Sequence, residues 1–348
     1  MWAVVVALGL GACKPEPGAP TGAKAPPPAS RTPASPHPTP SPKTAAADPE
    51  APRESAPHDG LPSRFEIAPG TKIAALGDVH GDLQATRAAL RLVGAIGADD
   101  HWTGGTMVLV QTGDQLDRGD DEQAIVDLLQ RLTEEAKAAG GAVHVLNGNH
   151  EFMNVMGDLR YVTPGGFADF ADVPDLDLSD PRLADVAPPM KARVAALSPG
   201  GPYAKILAQR NTVVVVGDTV FAHGGVLPKH VPDGVSSLDR LNADARAWLS
   251  DGKTGAQTMA NDVMATDGVV WTRLYSDPSQ GGGCEPLKAM LDKLGAKRLV
   301  VGHTVQADGV TSACDGKVWR IDVGMAAHYG GKPQAIVIEG DNVTVLGP

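Results

Sequence analysis

Five short apolar runs constrain this chain more than any other feature, because each stops at the same kind of residue. "KIAALGDVHGD" is apolar to Leu76 and then presents Gly77, Asp78 and His80. "MVLVQTGDQLDRGD" is apolar from Met107 to Val110 and then presents Gly113, Asp114, Asp117 and Arg118. "AVHVLNGNHE" runs from Ala142 to Leu146 before Asn149, His150 and Glu151. "VVVVGDTVFAHGG" reads as a hairpin whose second strand ends at His223, and "KRLVVGHT" ends at His303. Short β-branched runs bounded by glycine are strands. The glycines let the backbone turn sharply and come close to a ligand.

Helical spacing accompanies these strands. Ile125, Leu128, Leu129 and Leu132 share one helix face, and Leu287, Met290, Leu291 and Leu294 repeat the pattern before the run at 298–301. Strands alternating with helices imply an α/β fold, and ligands of such folds sit just beyond the carboxyl ends of the strands. That edge here carries Asp, His, Asp, Asn, His and His. A single "NGN" or "GD" is an ordinary turn, but unrelated turns would not keep choosing metal-ligand side chains. The edge therefore reads as a metal site. The stretch from Asp114 to Asp121 adds a question, since Arg118 stands among four carboxylates. Either this is a solvated turn before a helix, or the carboxylates hold something cationic and the arginine something anionic.

In chain order, "GDVHG", "GDQLDRG", "GNHE", "HGG" and "GHT" resemble the metallophosphoesterases of the phosphoprotein phosphatase superfamily. "GDQLDRGDDE" and "GNHEFMNVMGDLRYV" resemble its bacterial branch, the Shewanella-like protein phosphatases. The resemblance implies a calcineurin-like β-sandwich flanked by helices, four layers in the order αββα, with two divalent metal ions at the strand ends. Carried over position by position, one metal falls to Asp78, His80 and Asp114, and the second to Asp114, Asn149, His223 and His303. Oxygen and imidazole donors without sulfur suit manganese, iron or zinc, manganese being the first expectation. Two cations about 3.5–4 Å apart can share a hydroxide and direct it at phosphorus. The resemblance makes His150 the proton donor, Asp117 the residue that orients its imidazole, and Arg118 a fork for phosphate oxygens. Arg273, in "VVWTRLYSD", is expected as a second phosphate arginine. The arginine and the carboxylates thus serve opposite charges in one site.

The remaining histidines, His101, His144, His230 and His328, read as ordinary polar residues; His328, in "GMAAHYGG", is the one that could run near the metals. The C-terminus lacks the Tyr-Cys loop of the eukaryotic enzymes. Residues 157–210 carry no metal-site pattern, and the resemblance makes them a substrate-facing insert. Their acidic piece, "DLDLSDPRLAD", lacks the glycine and final glutamate of an EF-hand loop and reads as a solvated loop.

The 348 residues divide unevenly. Residues 14–62 are dominated by Pro, Ala, Ser and Thr and cannot bury enough surface to offset chain entropy, so they read as an extended linker. Residues 63–348 are then the metallophosphoesterase domain, long enough for a sizeable core. The apolar stretch from Trp2 to Ala12 is too short to span a bilayer and has the length of a signal-peptide core. "LGAC" resembles a bacterial lipobox, although no basic residue precedes it. On that reading residues 1–13 are a lipoprotein signal, Cys13 carries lipid, and the domain is anchored in the bacterial cell envelope, facing the periplasm. In such an oxidising compartment Cys284 and Cys314 could pair, with two free thiols as the alternative. A net charge of −11, with no basic stripe, argues against nucleic acid as a partner.

The expected activity is metal-dependent hydrolysis of phosphomonoesters on Ser, Thr or Tyr of proteins or peptides. A dinucleoside polyphosphate hydrolase would use the same metal set in a different pocket. A non-catalytic envelope lipoprotein that displays the fold to a partner is the third reading, and the full ligand set weighs against it.

Overall fold

Both faces of most strands are buried, and that requirement explains the architecture. A computed structural model describes residues 61–277, 279 and 283–348. Cys13, the apolar segment before it and the Pro-rich stretch to residue 60 lie outside the described residues. Among the described residues the strands are β1 (Arg64–Phe65), β2 (Ile73–Leu76), β3 (Val108–Gln111), β4 (Ala142–Val145), β5 (Val213–Val216) and β6 (Thr219–Ala222), then β7 (Arg298–Val301), β8 (Thr311–Ala313), β9 (Val318–Arg320), β10 (Ala335–Glu339) and β11 (Asn342–Leu346). They form a six-stranded sheet, β1-β5-β6-β7-β9-β8, and a five-stranded sheet, β11-β10-β2-β3-β4. Both are mixed: β2, β3 and β4 are mutually parallel, as are β6, β7 and β9, while the outer hairpins are antiparallel.

The period-two alternation of strand side chains assigns each residue to a layer. Ile73, Ala75, Val108, Val110, Val214, Val216, Phe221, Val300, Ile336 and Ile338 meet between the sheets. Their neighbours Ala74, Leu76, Leu109 and Val337 point the other way, against helices α1 (Leu83–Leu92) and α2 (Glu122–Ala138). Val213, Val215, Val220, Leu299 and Val301 point away from the middle of the sandwich in the second sheet. They are covered by α3 (Asn149–Val155), α5 (Lys191–Leu197), α6 (Pro202–Leu207), α7 (Val235–Asp251) and α9 (Cys284–Leu294), counting also the short α4 (Pro164–Asp169) and α8 (Ala256–Thr258) in chain order. The layers are helix, sheet, sheet, helix. Strands with two buried faces read as continuous Val and Ile runs rather than as alternating ones.

The two helix faces expected from the spacing are buried as expected, Ile125, Leu128, Leu129 and Leu132 on α2 and Leu287, Met290, Leu291 and Leu294 on α9. The hairpin is β5–β6, turning at Gly217 and Asp218 with Gly217 in the left-handed region (φ 57°). Cys284, at the start of α9, and Cys314, after β8, are bridged, with Cα atoms 5.4 Å apart. The acidic segment near 175–185 is exposed apart from the half-buried Leu176 and Asp180 and from Leu183, which a 3₁₀ turn at Pro181–Leu183 buries.

Candidate metal centre and acid

The parallel triplets β2-β3-β4 and β6-β7-β9 each send three carboxyl ends to one edge of the sandwich, and the titratable side chains collect there. Asp114, after β3, is the hub. Its Oδ2 lies 3.2 Å from His223 Nε2, 3.7 Å from His80 Nε2 and 3.8 Å from His150 Nε2. Asn149 Oδ1 is 2.9 Å from His223 Nε2, and His303 Nδ1 is 3.1 Å from the same atom. Asp78 approaches His80 at 4.0 Å and His223 at 3.8 Å, and it accepts from the His303 backbone N–H at 3.0 Å. All six sequence-predicted metal ligands are thus brought together. Two sets of donor atoms, from His80, Asp114 and His150 and from Asp114, His223 and His303, lie within 4.8 Å of one another. The first set includes His150 where the sequence reading had Asp78.

Crowding so many side chains onto one edge strains the backbone. His80, Asp114, Asp117, Arg118 and His303 all have φ between 40° and 71°, a region costly for residues with a Cβ. Glycines take up the closest approaches. A Cβ on Gly148 would sit 2.2 Å from Asp114 Oδ1, and one on Gly302 would sit 2.3 Å from Asp78 Oδ1.

Electrostatics indicates that a cation fits here. Burial pushes the Asp78 carboxyl well above its ordinary range, and the neighbouring Asp322 and Asp114 push it further. Burial likewise raises Asp322 to about 6 and raises Glu151. Burial would raise Asp114 as well, but the imidazoles of His223, His150 and His80 together hold it well below the carboxylate range. Burial, reinforced by His150, lowers His80 to about 4. His303 is lowered too, and its Nε2 is buried without a hydrogen-bond partner. Imidazole nitrogens facing buried carboxylates form a donor set that a divalent cation satisfies. The second nitrogens are fixed from behind. His80 Nδ1 is 3.0 Å from the Leu116 carbonyl and His223 Nδ1 is 3.0 Å from that of Thr112, which sets each ring's orientation.

His150 is held differently. Its Nδ1 bonds Asp117 Oδ2 at 2.5 Å, and its backbone N–H donates to Asp114 Oδ1 at 3.0 Å. Burial alone would lower this imidazole, yet the Asp114 and Asp117 carboxylates outweigh it and raise its pKa. Arg118 is half-buried beside it, its guanidinium 4.2 Å from the ring centroid of Tyr161 and 5.9 Å from that of Tyr329. Its Nε is buried with no partner. Arg273 lies at the exposed rim, donating to the His303 carbonyl at 3.1 Å and to Thr304 Oγ1 at 2.8 Å. Three of the other histidines stay outside. His101 pairs with Glu135 on the surface, His144 packs on Phe65, and His230 Nδ1 accepts from the Leu227 N–H. His328 does reach the site: it lines one cleft with His80, Arg118 and Asp120, and its ring is 4.7 Å from that of Tyr329, which is 5.4 Å from that of His80.

Sequence reasoning missed three contributors. Asp322 follows β9, and "VWRID", like the runs before Asp78 and Asp114, is a strand that leads to a carboxylate, although Arg320 interrupts its apolar residues. Glu151 accepts four backbone N–H groups, from Asp114, Gln115, Leu116 and Gly148, and so fixes the Asp114 turn. Tyr161, in the 157–210 segment, reaches Arg118 both through its ring and through its carbonyl, which accepts the Arg118 N–H at 3.2 Å. Glu151 and Tyr161 both lie inside "GNHEFMNVMGDLRYV", so the run itself is legible, but the partner each one holds is not.

A strand-end cluster of this composition on a helix-flanked sandwich defines a class, the metallophosphoesterases. A family profile described as Calcineurin-like phosphoesterase matches residues 71–307, and the chain belongs to that family. Shewanella-like protein phosphatase 2 of Arabidopsis thaliana is 38% identical over 317 residues, covering 83% of this chain and 80% of the relative. The structure is similar to that of a cold-active protein-tyrosine phosphatase of a psychrophilic Shewanella species, with a TM-score of 0.65 and 25% identity over 83% of this chain and 80% of that one. A protein serine/threonine phosphatase of Saccharomyces cerevisiae, at a TM-score of 0.53 and 15% identity over 84% of this chain and 85% of that one, shares the fold.

Proposed function

We propose that the protein hydrolyses phosphomonoesters on Ser, Thr or Tyr of proteins or peptides, using two divalent cations, manganese first among them. The observation that carries this reading is the Asp114 hub, on which three imidazoles converge within 4 Å while Arg118 stands four residues away. Asp78, His80 and Asp114 would hold one cation and Asp114, Asn149, His223 and His303 the other. When bound, such cations supply Lewis acidity toward phosphoryl oxygens and make an attacking water more acidic. The protein's own groups do the rest. Arg118 presents a planar, permanently charged fork to the phosphoryl oxygens, its face held by Tyr161. Arg273 offers a second positive charge at the rim. His150, whose pKa the carboxylates beside it raise, gives a proton to the departing oxygen, and Asp117 holds the ring by Nδ1 so that Nε2 faces the site.

The names of the phosphatase relatives support a phosphoprotein substrate over a dinucleoside polyphosphate. Rates on phosphotyrosine and phosphoserine peptides, set against diadenosine tetraphosphate, test the choice; preference for the dinucleotide would overturn it. The proton-donor role has its own test. A serine alkoxide needs a proton as it leaves and a nitrophenolate scarcely does, so His150→Ala should lose much of the roughly 10²–10⁴-fold contribution of general acid catalysis on phosphoserine and far less on nitrophenyl phosphate.

The domain boundaries and the address are proposed with it: a signal through residue 13, a linker over 14–62, an insert over 157–210, and lipid on Cys13 in the bacterial envelope. "LGAC" supports the anchor, and the Cys284–Cys314 bridge suits an oxidising compartment. Cells expressing Cys13→Ser should release the protein from the membrane fraction. A wild-type protein already soluble and unlabelled by fatty-acid tracers would end the anchor proposal.

A further inference from the structure

Arg193 is one of the largest fully buried side chains among the described residues, and it lies on α5, inside the 157–210 segment and far in sequence from every motif. Its guanidinium has five N–H groups and finds five acceptors. Nε donates to Asn154 Oδ1 at 3.0 Å, and Nη1 donates to the Gly166 carbonyl at 2.9 Å and to Glu122 Oε2. Nη2 donates to Glu122 Oε1 at 3.0 Å and to Asp117 Oδ1 at 3.2 Å. The last contact matters most. Asp117 has one oxygen on His150 and the other shared by Arg193 and Asn154 Nδ2, the latter at 3.0 Å. Asn154 is itself tied to the His150 carbonyl at 2.9 Å. Glu122 closes the ring by accepting the Asp117 backbone N–H.

We propose that Arg193 is a positioning residue for the reaction: by gripping the far oxygen of Asp117 it stops that carboxylate from rotating and so keeps the His150 ring aimed at the leaving oxygen. The inference rests on His150 being the acid. A carboxylate bonded on one oxygen only can swing about its Cβ–Cγ bond, and His150 would swing with it. A fork that meets two carboxylates and a carbonyl in one plane prevents this, whereas a lysine, with a point charge and no plane, does not. The alternative is that Arg193 only staples α5 to α2 through Glu122. In that case its loss would lower stability and depress every substrate alike.

Two variants separate these. Arg193→Lys keeps the charge and removes the fork. Arg193→Met with Glu122→Gln removes both members of the buried pair, so that no unpaired charge is left inside should the single change fail to fold. Each is assayed with wild type and His150→Ala on a phosphoserine peptide and on nitrophenyl phosphate, after metal content and melting temperature have been measured. A loss of about 10–100-fold, part of the roughly 10²–10⁴-fold that general acid catalysis contributes, is expected on the phosphoserine peptide, with little change on the aryl ester. Selective loss in His150→Ala, but uniform loss or none in the folded Arg193 variants, would reduce Arg193 to a staple. A uniform loss in His150→Ala would instead overturn the acid assignment, and the positioning role with it.

Discussion

Asp114 concentrates the chemistry of the site in one side chain, and its replacement separates charge from shape. Asp114→Asn preserves the volume and one carbonyl oxygen but removes the negative charge that His80, His150 and His223 all approach within 4 Å. The variant should bind fewer than two metal ions and lose activity on phosphoserine, phosphotyrosine and nitrophenyl phosphate to the same degree. Elemental analysis finding two ions still bound would contradict its place at the centre. Residues of this kind were legible because a strand delivers each to a sheet edge, and a β-branched run ending in Gly and a ligand side chain shows in one dimension. The roles of Arg193, Glu151 and Tyr161 were not. Each acts on a partner more than 30 residues away, and a buried arginine in "MKARVAAL" looks like a solvated helix face until the tertiary contacts exist.

At the scale of elements, β4 carries one of the groups through which the domain responds to acid. His144 is in register with Val110, so its ring turns inward, where it meets Phe65 of β1 at 4.1 Å with Nε2 unpaired. Burial lowers its pKa from 6.5 to about 4. The unfolded chain therefore binds a proton that the folded one refuses, and stability present above pH 6.5 is lost as pH falls toward 4. The difference is on the order of 3 kcal/mol. His144→Leu should flatten the fall in urea midpoint between pH 7 and pH 4.5 relative to wild type; parallel falls would show that His144 does not set it. Strands β2 to β7 were readable as short apolar runs, and α2 and α9 because period and burial coincide in them, whereas α7, as long as α2, was not read. The elements of 157–210 were not, since α4 and α6 are each six residues long, open on proline, and are too short to show a period.

The whole domain has a seam where distant parts of the chain close, and the disulfide crosses it. Cys284 and Cys314 are 30 residues apart in sequence and enclose β7, His303 and Thr304. Closing a loop of this length contributes about 2–4 kcal/mol, so replacing both cysteines by serine should lower the urea midpoint correspondingly; an unchanged midpoint would show that the bridge adds nothing. The possibility of a bridge was readable from polar loop contexts, but its formation was not, because pairing depends on where α9 and β8 meet. The same bridge also makes the polypeptide's integrity redundant over this stretch. Insert a specific protease site between the exposed Ala307 and Asp308, and a cut there severs the main chain without severing the molecule. One band should remain on a gel without reductant and two appear with it, while the cleaved enzyme keeps working until a thiol is added. The strand carrying His303 and the strand leading to Asp322 would then be separate peptides, held in one active site by a sulfur–sulfur bond.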